Sequence, residues 1–139
     1  MTSATNLIVL DTSVLISAAL FPGSIPDQAV IFAFEYFDVA ASDNLLAELK
    51  ASLEKPKHQK YASIENRLHF YDIFKANTQT ITVTEPITAC RDPKDDMVLE
   101  LAVSAGSLII VSGDKDLLTM SPFRGIEILS PRQFIAEFQ

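Results

Sequence analysis

One cysteine, Cys90, occurs in 139 residues. An internal disulfide is therefore excluded, and the usage fits a reducing compartment, so a cytoplasmic protein is expected. No apolar run approaches the ~18–20 residues that cross a bilayer. A secretory pattern is missing too: no basic segment precedes Leu7–Leu10, and Asp11 follows at once. No repeat, low-complexity tract or linker interrupts the chain, whose length suits one domain over residues 1–139 with a full core. Positive charge is scarce, at eleven Lys and Arg against eighteen Asp and Glu, for a net charge of −7. That argues against unspecific electrostatic binding to nucleic acid. A nucleic-acid enzyme stays open, because acids gathered around divalent ions enter the sum and the ions do not. The two histidines, His58 and His69, lie outside every motif, which argues against histidine-based phosphodiester chemistry.

What is present is an alternation of apolar runs and helical patterns. Asn6–Leu10 reads as a central buried strand that ends in Asp11-Thr12-Ser13, with a helix over Val14–Leu20. After a turn at Phe21–Ser24, Ile25–Tyr36 reads as an apolar helix suited to a dimer or partner interface. Phe37–Ala41 is a second strand. Ser42 or Asp43 caps a helix over Asn44–Leu53, with Glu48 on the flank of its leucine stripe, about 110° from the centre. Lys55–Lys60 is the most basic run; with Lys50 and Arg67 it forms either a positive patch or a solvated loop. Tyr61–Ala76 is an amphipathic helix, Thr78–Thr84 a third strand, and Ile126–Leu129 a last strand before a closing helix that ends at Phe138. The pattern predicts an α/β domain with a mainly parallel sheet, in which right-handed crossovers bring the ends after Leu10 and Val111 to the same edge.

The densest chemistry lies in Arg91–Leu118. Asp92 can cap a helix beginning at Pro93 and stopped by Gly106. Leu108–Val111 is a strand buried on both faces, and it leaves through Ser112-Gly113-Asp114-Lys115-Asp116 into a short helix to Met120. On the 93–105 helix, Asp95 falls at the rim of the apolar face, about 70° from its centre, whereas Asp96 and Glu100 fall on the outer side. Asp95 is thus the ligand candidate and Asp96 a solvated acid. Each acid also has a plainer role: Asp11 as a helix cap, Glu48 as a solvated helix residue, and Asp95 as the third residue of a capping box with Asp92.

Taken together, DTSVL after the first strand, the LLAEL helix, DPKDDMVLELAVSAG and IIVSGDKDLL resemble the PIN-domain ribonucleases. The likeness runs from Leu7 to about Phe134 and is strongest to the toxin components of bacterial toxin–antitoxin pairs. It matches the family's four acids to Asp11, Glu48, Asp95 and Asp114, and its polar positions to Thr12, Ser13 and Ser112. Asp116 is an optional helper, and Lys55–Lys60 aligns with nothing decisive. The resemblance implies a three-layer α/β fold, Mg²⁺- or Mn²⁺-dependent cleavage of RNA, a cognate antitoxin and a homodimer. In that reading the four acids hold one or two ions, which all-oxygen ligands select as hard, and Ser112 and Thr12 orient water or ligands.

Three rival readings fit parts of the pattern. A haloacid-dehalogenase-like phosphatase needs a second Asp two residues after the first, where Ser13 stands. A receiver domain needs an acidic pair after the first strand and an Asp after the third, where Thr84-Glu85-Pro86 stands. A non-catalytic interaction domain with the same fold is separated from an enzyme only by activity.

Overall fold

Leu7–Leu10 is buried at every position, as an apolar run covered on both faces must be. The computed structural model describes residues 6–138; residues 1–5 and 139, the ends of the span expected to fold as one domain, lie outside them. Leu7–Leu10 is β1, the centre of a five-stranded sheet with β2 (Asp38–Ala41), β3 (Gln79–Thr80), β4 (Ile109–Val111) and β5 (Glu127–Leu129). The order is β3-β2-β1-β4-β5 and every pairing is parallel. Seven helices accompany it among the described residues: α1 (Thr12–Leu20), α2 (Ile25–Tyr36), α3 (Asp43–Leu53), α4 (Ile64–Ala76), α5 (Pro93–Ala105), α6 (Lys115–Leu118) and α7 (Pro131–Phe138). The chain builds outward from β1 to β3, then returns to lay β4 on the other side of β1. The strand order therefore reverses between β1 and β4, where open parallel sheets leave a crevice at their carboxyl ends.

Helix starts follow local chemistry. Ser24, Ser42 and Ser63 accept from the N–H groups of Asp27, Leu45 and Asn66, which fixes the start of α3 at Asp43 and delays α4 to Ile64. Gly106, at φ +66°, closes α5 in the left-handed conformation that only glycine enters freely. Strand ends differ from expectation in two places. Leu108 is 56% exposed, and β4 begins at Ile109. The expected strand over Thr78–Thr84 pairs only at Gln79–Thr80, with one more bond from Ile81 N–H to the Ala41 carbonyl. Beyond it, Thr84 N–H turns to Ser104 Oγ, so an alternating pattern was not enough to hold an exposed edge in the ladder.

Arg67 is the main correction. Instead of joining a surface patch it is 2% exposed, and its guanidinium donates to the carbonyls of Leu53, Lys55 and Ala62 and to Gln59 Oε1. It thereby gathers the end of α3, the short 3-10 turn Pro56–His58 and the start of α4. The turn carries His58, whose pKa is lowered by burial and by Lys57, Arg67 and Lys55. Replacing Arg67 by Met strands several buried carbonyls, each costing roughly 1–3 kcal/mol. The expected loss of about 3 kcal/mol will appear in urea unfolding as a lower midpoint at unchanged slope.

Candidate active site

The register Leu10↔Val111 sets the two strand ends side by side. Asp11 N–H bonds the Val111 carbonyl at 2.9 Å, and Ser112, fully buried, donates its hydroxyl to Asp11 Oδ2 at 2.7 Å. Ser13 Oγ donates to the same oxygen at 3.0 Å. Asp11 stands at the cap position of α1, yet its side chain makes no cap bond; it is held by burial and by three hydroxyl neighbours instead. Ser112 Oγ in turn accepts from Asp114 N–H at 3.0 Å, so one hydroxyl links the first strand end to the fourth acid.

Asp114 caps α6 through Asp116 N–H, and its charge acts on Asp95. Asp95, at the start of α5, is buried. Its carboxyl pKa is raised to about 7, by burial first, then by the charges of Asp114 and Asp11. The capping-box role is absent: Asp92 caps α5 through Lys94 N–H, and the Asp95 side chain makes no bond to the Asp92 backbone. The structure thus brings Asp11, Asp95 and Asp114 into one electrostatic neighbourhood.

Glu48 stands further back. It is half-buried on α3, and its Oε2 accepts from Ser52 Oγ at 3.1 Å and pairs with Lys94 Nζ at 3.4 Å. It is not among the charges that raise Asp95. Asp116, exposed, pairs with Arg91 at 3.0 Å.

Asp96 and Glu100 are not solvated acids. Asp96 Oδ1 accepts from the N–H groups of Ala89 and Cys90, Glu100 Oε2 from Ile87 N–H, and Ser104 Oγ from Thr84 N–H. Residues 96, 100 and 104 lie one turn apart on one helix face and fasten the irregular segment before α5. Those bonds lower the Asp96 pKa. A helical wheel reports which side of α5 faces away from the apolar core, and only the tertiary path shows that chain, not water, covers it. Cys90, next to Asp96, has its thiol pushed up to about 12 by burial and by the acids Asp96, Asp95 and Asp114; it is a protonated filler at neutral pH.

The donor set fits a hard divalent cation. It consists of carboxylates and hydroxyls, and the ion pairs among the described residues involve Glu48, Asp116 and Glu85, leaving Asp11, Asp95 and Asp114 without a cationic partner there. Among the described residues no three acids are already spaced to enclose one ion. A Mg²⁺ ion that keeps several waters needs only one or two carboxylates, so this partial convergence suffices for the fit. A cavity of about 340 Å³ opens beside Ser13, Gly113 and Asp114. A larger apolar cavity, about 520 Å³ between α2 and α4, touches none of these acids.

A family model described as a PIN domain matches residues 7–116. The uncharacterized protein MJ1680 of Methanocaldococcus jannaschii is 30% identical over 142 residues, covering 95% of this chain and 91% of that protein. Among solved structures, VapBC2 from Rickettsia felis bound to a promoter DNA fragment matches with a TM-score of 0.63 at 13% identity, over 89% of this chain and 98% of that one. PAE2754 from Pyrobaculum aerophilum gives 0.61 at 15%, over 96% and 89%, and FitAcB from Neisseria gonorrhoeae 0.54 at 19%, over 90% and 98%. At such identities the structural likenesses establish the fold alone.

Asp95 makes metal-free stability depend on pH. Below its ordinary value of 3.8 the carboxyl is protonated in both folded and unfolded chains. As pH rises toward about 7 the unfolded chain releases that proton more readily than the folded one, so stability falls across this window. Asp95→Asn is expected to flatten the dependence and to unfold at a higher temperature than wild type at about pH 8 in chelator. Melting curves from about pH 4 to pH 8 measure it.

Proposed function

The chain belongs to the PIN domain family, and on that premise we propose that it is a Mg²⁺- or Mn²⁺-dependent endoribonuclease, the toxin of a toxin–antitoxin pair acting in the cytoplasm. The observation that carries the proposal is that Asp95 is buried beside Asp11 and Asp114, the acids at the carboxyl ends of β1 and β4: burial first, and then those two charges, raise its pKa to about 7. A fold gains nothing from that arrangement, since two unit charges about 5 Å apart at an effective dielectric of ~20 repel by about 3 kcal/mol.

Asp11, Asp95 and Asp114 would hold the cation, and Glu48 would join through water or a second ion. When bound, the cation supplies positive charge that favours deprotonation of an attacking water and offsets charge on the phosphodiester. Ser112 fixes the Asp11 carboxylate, and through Asp114 N–H it fixes the turn that carries Asp114. Ser13 holds the same Asp11 oxygen from the helix side. Asp95 would release its proton on binding the cation, so cation affinity is expected to rise with pH up to about 7. The cleft beside Ser13, Gly113 and Asp114 would offer a single RNA strand access to Asp114. Ser112 would not serve as a covalent nucleophile, because its buried hydroxyl is committed to Asp11.

An antitoxin partner fits the apolar cavity between α2 and α4. Ile31 and Ile73 are exposed there, and Asp27, Glu35 and Asp38 rim it, an arrangement suited to an apolar segment with basic flanks. A homodimer is the other arrangement we propose for this chain.

Asp11→Asn and Asp95→Asn are each expected to weaken Mn²⁺ binding and to cut RNA cleavage by about 100-fold or more. Asp96→Asn will lower stability while leaving Mn²⁺ affinity near wild type, since Asp96 holds backbone and not the site. Calorimetric titration and cleavage of a labelled RNA in one buffer decide it. An Asp96→Asn variant that is stable but binds no metal, beside an unaffected Asp95→Asn, would reverse the assignment.

A further inference from the structure

Lys94 occupies an unusual place. It is the second residue of α5, where a helix presents its positive dipole end and favours acids such as Asp92 and Asp95 over a cation. Its ammonium reaches to Glu48 on α3, 3.4 Å away, with the lysine side chain 62% exposed and the glutamate 23%. Ser52, buried, donates to the same Oε2 atom at 3.1 Å. Both donors thus act on one oxygen, and among the described residues Oε1 accepts no hydrogen bond. Of the four expected acids, Glu48 is the one with a cationic partner among the described residues.

We propose that Lys94 and a divalent cation compete for Glu48. Lys94 is then a positioning residue that acts through Glu48, with its pair to Oε2 setting how readily that carboxylate turns to the ion. Ser52 keeps Oε2 oriented when Lys94 withdraws, and the withdrawn ammonium, beside Asp95 in sequence, stays at the rim as a countercharge for an RNA phosphate. The inference rests on the nuclease reading, because it assumes that the acids bind a cation.

The test is Mn²⁺ titration calorimetry on wild type, Lys94→Met, Lys94→Arg, Glu48→Gln and the Glu48→Gln/Lys94→Met double variant. Lys94 is exposed, so its variants should fold normally. Lys94→Met is expected to bind Mn²⁺ about two- to fivefold more tightly, the range that a partly exposed ion pair carries. Lys94→Arg keeps wild-type affinity, and in the Glu48→Gln background the gain from Lys94→Met falls to less than half. A second measurement tracks the Lys94 ammonium by nitrogen NMR during Mg²⁺ titration, where its resonance should move toward that of free lysine. An equal gain in both backgrounds would make Lys94 a mere like-charge neighbour and overturn the proposal. So would weaker binding in Lys94→Met, or a resonance that stays fixed at saturation. Wild type that binds no Mn²⁺ removes the nuclease reading and this inference together; wild type that binds while Lys94→Met matches it removes this inference alone.

Discussion

Repulsion between carboxylates brought together by parallel strand pairing is the constraint around which this structure is arranged. β1 and β4 are distant in sequence, and their pairing at Leu10↔Val111 fixes where the residue just beyond each strand must stand. A slip of one residue would turn every side chain of the strand to the opposite face, burying the wrong groups and separating Asp11 from Ser112. Full burial of Ile8, Val9, Leu10, Ile110 and Val111 forbids that slip. The apolar core thus supplies the energy that keeps acids side by side. The chain sheds part of the cost by leaving a proton on Asp95 and by giving Asp11 hydroxyl donors in place of a cation.

Around that point the polar contacts divide into two kinds. Arg67 and the row Asp96, Glu100, Ser104 are fully committed: their hydrogen bonds go to backbone groups of irregular segments that would otherwise go unpaired. They let a chain with a two-residue edge strand and a long loop before α5 remain ordered. Asp11, Asp95, Asp114 and Glu48 are the uncommitted kind. Apart from the Asp114 cap on α6, their side-chain contacts are to hydroxyls or to an exposed lysine, groups that a ligand can replace.

Asp11 and Asp114 follow β1 and β4 as the strand-end argument expects, and their charges act on Asp95. Asp11 and Asp114 were legible because an acid directly after a buried apolar run has few structural uses. The angle on α5 set Asp95 at the rim and Asp96 on the outer side, and the structure buries both, Asp96 against the backbone of Ala89 and Cys90. Glu48 was legible as a position on the flank of a leucine stripe, but not as a residue facing Lys94, since nothing in local spacing tells which helix packs alongside. Arg67 misled for the same reason: an arginine beside polar residues such as Glu65 and Asn66 reads as surface, and only the return of α4 against the end of α3 buries it.

The sequence by itself determined the elements and the strand order's raw material: apolar runs long enough for buried strands, serine caps, Gly106 as a stop, and acids at two strand ends. These are local properties, set by side-chain size, hydrogen bonding within a turn and burial preference. Tertiary structure decided which acids face one another, which are consumed by backbone, and how short the edge strand is. Those outcomes depend on distances between residues far apart in the chain, and Coulomb and hydrogen-bond energies change over a few ångströms that no local pattern encodes.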